Sequence, residues 1–118
     1  MKVTGYILTY HPKDKLARTH FHHALFGRND YRTYRGKKYC YYDPGFLHNV
    51  NFAKLQHSSV FISKDIDVEE LKALVGIFGD FNIKEEIFSG DVTTGKEFWE
   101  KKAKKLNLQV RYKKCRRI

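Results

Sequence analysis

The chain is poor in cysteine, proline, methionine, glutamine and acidic side chains. Its 118 residues include two cysteines, two prolines, one methionine and one tryptophan. Cys40 and Cys115 stand far apart and neither belongs to a C-x-x-C pair. That spacing supplies no framework for a structural zinc site and no disulfide scaffold of the kind small secreted domains use. Two free thiols in a reducing cytoplasm is the expectation. No apolar run approaches the ~18 residues of a membrane-spanning helix. Met1 to Tyr10 alternates too much for a signal-peptide core and lacks a small-residue cleavage site. Repeats, low-complexity linkers and an internal boundary are all missing. Residues 1–118 therefore read as a single α+β domain with a basic C-terminal tail at 111–118, too short for a two-domain enzyme. Scarce Met and Gln beside abundant Lys and Glu is a thermophile composition.

The shortage of acid leaves a large excess of base: 23 Lys and Arg face 13 Asp and Glu, for a net charge of +10. The excess is segregated. Residues 1–64 carry +8, residues 65–95 carry −6 and residues 96–118 carry +8. Charge kept only for solubility has no reason to divide this way, so the pattern points to one surface that meets an anion and another that faces water. With 42% hydrophobic and 15% aromatic residues the chain has enough apolar mass for a core, which excludes compositional disorder.

Periodicity orders the chain. Val3 to Tyr10 alternates as a strand that His11-Pro12 breaks. Asp14 caps a helix to about Phe26, with Gly27 as its stop. Arg35-Gly36-Lys37-Lys38 reads as a hairpin turn between Tyr-rich strands, and Asp43-Pro44-Gly45 as a second turn. Phe46 to Gln56 reads as a loop with a short strand, and Val60-Phe61-Ile62 as a buried one. Asp67 and Glu70 have capping-box spacing ahead of the stripe Val68, Leu71, Leu74, Val75 and Phe78, with Gly79 ending the helix. Phe81, Ile83 and Ile87 form one face of the next strand. Thr94 and Glu97 open a last helix over Lys96 to Leu106, with Phe98, Trp99, Ala103 and Leu106 inward. Leu108 to Tyr112 closes as a strand. This order predicts an α+β fold with a ferredoxin-like βαββαβ core, an antiparallel sheet with helices on one face. The Tyr-rich hairpin and a C-terminal helix–strand unit are additions to it.

Chemistry concentrates in the first basic block. Arg28, Arg32, Arg35, Lys37 and Lys38 are interleaved with tyrosines. On a strand Tyr39 and Tyr41 project together while Tyr42 projects oppositely. Cations neutralise phosphates and rings stack on unpaired bases, at ~1–3 kcal/mol per base. Arg35 to Tyr42 resembles, in chemistry, the RNP1 strand of RNA recognition motifs: Arg35, Gly36, Tyr39 and Tyr42 fit its pattern, while Lys37, Lys38 and Cys40 depart from it. The second block adds Lys101, Lys104 and Lys105 on a helix and Arg111, Lys113, Lys114, Arg116 and Arg117 at the end. Such clusters bind phosphates without choosing sequence.

Three motifs compete with this reading. His20-Phe21-His22-His23 resembles the metal-holding pair of the HUH single-strand endonucleases, which would make His20 and His22 ligands beside a tyrosine nucleophile. On a helix, however, i and i+2 diverge, and the later helices contain no tyrosine. Gly90-Asp91-Val92-Thr93-Thr94-Gly95-Lys96 has phosphate-loop spacing, but Glu97 stands where Ser or Thr would hold magnesium. Asp65, Asp67, Glu69 and Glu70 sit at a helix start, where the dipole explains them; the helix from Asp67 to Gly79 is also an acidic face for a protein–protein adaptor. The expectation is a cytoplasmic, non-catalytic protein without cofactor or metal. It binds RNA with accessible bases, inside a ribonucleoprotein such as the ribosome and beside ribosomal or other ribonucleoprotein partners, and attaches to no membrane.

Overall fold

The computed structural model describes residues 2–56, 58–106 and 108–112. Among them the chain forms β1 (Lys2–Pro12), α1 (Lys15–Phe26), β2 (Arg28–Tyr34), β3 (Lys37–Asp43), β4 (Phe52–Lys54), β5 (Ser59–Ser63), α2 (Val68–Gly76), β6 (Gly79–Ser89), α3 (Gly95–Lys105) and β7 (Gln109–Tyr112). The class is α+β, with mostly antiparallel pairing. No helix among the described residues is long and apolar enough to cross a membrane.

One sheet runs β4-β5-β1-β6 with each neighbouring pair antiparallel. Its register sets Leu8 opposite Val60 and Ile83, Tyr6 opposite Ile62 and Tyr10 opposite Phe81. Strand period puts these apolar residues on one face. There Leu8, Tyr10, Val60, Ile62, Phe81 and Ile83 meet Phe21, Leu25 and Phe26 of α1, Leu71 and Val75 of α2, and Phe98 of α3 in one core cluster. On the other face Phe61 stacks on Phe88 with centroids 4.9 Å apart. Gly5 permits this close approach: a Cβ there would lie 2.2 Å from the Ile62 carbonyl oxygen and 2.7 Å from the Phe61 ring.

The C-terminus of α1 joins the two halves of the molecule. A helix leaves its last four carbonyls without intrahelical partners. Here the His23 carbonyl accepts from Gly27, that of Ala24 from Phe46 and that of Leu25 from Leu47. The Phe26 carbonyl accepts from the Trp99 indole N–H at 2.8 Å. Gly27 turns the chain at φ 95°, with the Tyr42 ring 2.6 Å from where a Cβ would stand. From that point β2 and β3 pair antiparallel through Arg35 (φ 52°) and Gly36 (φ 77°), the positive-φ pair of a type I′ turn. β7 adds parallel to β3, giving the order β2-β3-β7.

Several boundaries differ from expectation for identifiable reasons. β1 does not stop at Tyr10 but continues to Pro12, opposite Gly79. Its pairing with β5 has already ended at Thr9 and Ser59. The Tyr10 amide donates to Ser58 on the β5 side and the Lys13 amide to Phe78 on the β6 side. By alternation the Pro12 nitrogen faces the side β5 has left, where a missing donor costs nothing. α2 ends at Gly76, before Gly79, which instead opens β6. Ile87 shares the parity of Phe81 and Ile83, yet is 65% exposed, and Leu106, expected inward, is 53% exposed at the end of α3.

The acidic segment, residues 65–95, builds α2 and β6 and so supplies one edge strand of the first sheet. The opposite edge, β4, is bridged through Phe52 to Thr93 at the entrance to the basic α3.

Candidate nucleic-acid interface

β3 is a strand of alternating fate. Tyr39 and Tyr41 lie on one face with centroids 6.4 Å apart. Tyr42 lies on the other and is fully buried, 5.8 Å from Trp99 and 5.4 Å from His48. Its hydroxyl is 3.3 Å from His48 Nδ1. Burial raises the Tyr42 phenol above its ordinary pKa, the Gly45 backbone hydrogen bond opposes the shift, and the Asp43 carboxylate adds to it. Tyr42 therefore serves the core, and its ring faces protein where stacking on a base would need an open face. Tyr39 is 8% exposed.

The cations lie outside. Arg28, Arg32, Arg35, Lys37 and Lys38 are all exposed. The Arg32 guanidinium sits 5.6 Å from the Tyr41 centroid and 3.4 Å from the Asp30 carboxylate. This contact holds the Tyr41 ring and a charge together at a partly exposed site. Beside it a cavity of about 360 Å³ is lined by Arg32, Thr33, Lys38, Tyr39, Leu106 and Leu108. Its walls are apolar where Tyr39, Leu106 and Leu108 stand, and cationic at Arg32 and Lys38. Leu106 and Leu108 escape a reading by spacing, because their role depends on α3 and β7 returning to β3. The exposure of Leu106 is the signal that finds them.

Lys101, Lys104 and Lys105 are exposed along α3, while the Lys102 ammonium lies 5.1 Å over the Trp99 ring. Arg111 is in register with Tyr41 across the β3–β7 pair. Lys113, Lys114, Arg116 and Arg117 lie outside the described residues.

The competing motifs separate. His20 and His22 both sit on α1, where two residues are about 200° apart around the axis. His20 is exposed, whereas His22 turns inward to the Tyr10 hydroxyl, 3.3 Å away. The geometry does not bring them to one metal. Among the described residues no group of three or more His, Cys, Asp or Glu is placed to hold one. In the Gly90–Lys96 segment the Thr94 hydroxyl caps α3 by accepting from Glu97. The Gly95 and Lys96 amides donate to the Leu47 and His48 carbonyls. Two amides that a phosphate loop would turn toward its ligand are thus engaged by protein. Asp67 caps α2, accepting from the Glu69 and Glu70 amides.

Comparison with protein-family models, with curated proteins and with solved structures finds no match to this chain.

Proposed function

We propose that the protein is a non-catalytic, cytoplasmic RNA-binding component of a ribonucleoprotein, the ribosome being one such setting. Its RNA face is the β2-β3-β7 sheet with the exposed side of α3. One observation carries this reading: an apolar cavity walled by Tyr39, Leu106 and Leu108 opens between Arg32 and Lys38, next to a tyrosine that already bears a guanidinium. An unpaired nucleotide presents that same pairing, an apolar base beside a charged phosphate. Single-stranded or loop RNA supplies such bases; an A-form duplex hides them. The frame beneath is proposed to be of the ferredoxin-like type. Its support is the order β4-β5-β1-β6 built from β1-α1-β4-β5-α2-β6, with β2-β3 inserted after α1 and α3-β7 appended.

The test is filter binding or fluorescence anisotropy with a labelled loop RNA over a salt series. Binding is expected to weaken with a log–log slope of about −0.7 per neutralised phosphate on single strands. Tyr41→Ala is expected to cost roughly 5- to 150-fold, the range of one stacked base. Affinity indifferent both to Tyr41→Ala and to about 0.5 M salt would overturn the reading.

A further inference from the structure

A second cavity, of about 680 Å³, lies away from that face, between α1 and the β4–β5 connection. Tyr10, Arg18, His22, Phe26 and Lys54 line it, with Leu55, Gln56, Ser58 and Ser59 at the rim. Its construction follows from helix spacing: Arg18, His22 and Phe26 are i, i+4 and i+8 on α1 and form one stripe. That stripe faces Tyr10 of β1 and Lys54 of β4.

Each polar group is held in place. The Tyr10 hydroxyl is 3.3 Å from His22 Nε2. Arg18 Nη1 donates to the Ser58 hydroxyl at 3.2 Å. Ser58 itself adopts φ 61°, a left-handed conformation that a residue with a side chain occupies at a cost. The Lys54 ammonium is 4.5 Å from the Phe26 centroid and 5.1 Å from that of Phe98, so two aromatic faces fix it at the mouth.

None of the described lining residues is a carboxylate. Lys54 and Arg18 both act electrostatically on His22. The proton affinity of His22 is lowered by burial first, then by Lys54, Arg18 and His23. That of Lys54 is lowered by burial and then by Lys102. A cluster of donors assembled without its own counter-charge gains most from an anion with several acceptor oxygens. A carboxylate ligand would offer two oxygens; a phosphoryl group offers three and more charge, suited to a cavity lined by Arg18, His22, Lys54 and the Ser58 hydroxyl. The volume is in the range of small-molecule sites and larger than a bare phosphate needs.

We infer that this cavity is a binding site for a phosphoryl group carried by a nucleotide, with Arg18 and Lys54 as its charged contacts and His22, Tyr10 and Ser58 as hydrogen-bonding contacts. The inference does not rest on the RNA face described above, and the nucleotide has two possible sources, a free mononucleotide or the phosphorylated end of an RNA.

The test uses the full chain and follows the histidine ring signals by NMR. Inorganic phosphate and adenosine 5′-monophosphate are titrated to about 10 mM, well above the range where a specific site saturates. Saturable movement of the His22 ring, with His20 unmoved, is expected. Arg18→Gln and Lys54→Gln are each expected to weaken the mononucleotide about tenfold, the loss of one charge-assisted contact. Both side chains lie at the surface, so their folding is checked by circular dichroism. Tyr41→Ala, which belongs to the RNA face, is expected to leave the titration unchanged. A 5′-phosphorylated oligoribonucleotide that moves His22 at lower concentration than the mononucleotide identifies the RNA end as the source. Equal or weaker effect than the mononucleotide identifies the free nucleotide, and either result supports the site. An unmoved His22 with both small probes, or unaltered affinity in both Gln variants, overturns it.

Discussion

Replacing Trp99 by Phe tests whether the two halves of the molecule are joined as described. The indole N–H donates to the Phe26 carbonyl at 2.8 Å, while the ring lies 5.8 Å from Tyr42, 5.0 Å from Phe98 and 5.1 Å beneath the Lys102 ammonium. Phenylalanine preserves an aromatic face but has no donor. The three preceding carbonyls of α1 already have their own backbone donors, from Gly27, Phe46 and Leu47, and the structure gives none of them to Phe26. A part-buried acceptor left unmade costs about 1–3 kcal/mol. The smaller ring also forfeits some packing and part of the cation–π contact, at most about 1 kcal/mol more. The expected loss is about 1–4 kcal/mol, which lowers the Tm of a domain of this size by roughly 3–24 °C.

The assay is urea or thermal unfolding followed by far-UV circular dichroism, because the substitution removes the only tryptophan. Trp99→Phe within about 0.5 kcal/mol of the parent would refute the reasoning. It would mean that the Phe26 carbonyl finds water or another donor, and that Trp99 adds only area. A loss above about 5 kcal/mol would refute it from the other side, since no single hydrogen bond accounts for that much.

Gly5→Ala is expected to destabilise by about 2 kcal/mol or more in urea unfolding, because its Cβ would strike the Ile62 carbonyl, a backbone atom that cannot yield without breaking the β1–β5 pairing. Asp67→Ala is expected to cost about 1 kcal/mol by removing the acceptor of two α2 amides, with Asp67→Asn retaining most of it. Stability is expected to fall as pH drops below the ordinary histidine value of 6.5. Burial lowers the folded-state pKa of His22, and Lys54, Arg18 and His23 lower it further, so the unfolded chain takes up the proton first. The loss begins near 6.5 and ends below the folded value. Unfolding midpoints measured across that window are expected to flatten in His22→Gln, and an unchanged slope in that variant would count against the assignment.

The helix starts were legible in the sequence because they depend on a few adjacent residues. Asp14, Asp67 and Thr94 each cap the helix their spacing announces. Alternation likewise marked Val3 to Tyr10 as a strand, and the run Val60-Phe61-Ile62 marked a buried one, as the fully buried Val60, Phe61 and Ile62 are. What stayed illegible depends on return of the chain. Nothing local to Pro12 says that β5 has ended on the side its nitrogen faces. Parity made Ile87 look inward, but burial also needs a helix above it, and α2 is only 9 residues long. Tyr42 shows the same limit. Its parity separated it from Tyr39 and Tyr41, yet only the arrival of Trp99, 57 positions later, makes it core. Arg18 and Lys54 carried no signal as a pair, since α1 and β4 are joined in space by the sheet and not by spacing.

The same distinction explains why the charge pattern is informative. A run of acid along the chain need not be a patch, because strands from distant segments interleave. Here β6 pairs along the whole of β1, a strand of the first basic segment. β6, last to join the first sheet, takes the edge beside β1, and α2 packs upon it. β4 takes the opposite edge, where Phe52 meets Thr93 and the chain departs into α3. Sheet order thus places α2 and β6 at one edge, while the end of the same segment, Asp91 to Thr93, returns to β4 beside Lys54 and Lys101. On the proposed reading an RNA meets the exposed cations of β2, β3 and α3, and their field orients it before any base is contacted. The cavity at Arg18 and Lys54 lies by β4. The proposed phosphoryl site and the proposed RNA face rest on different side chains, which is why their variants are expected to separate them.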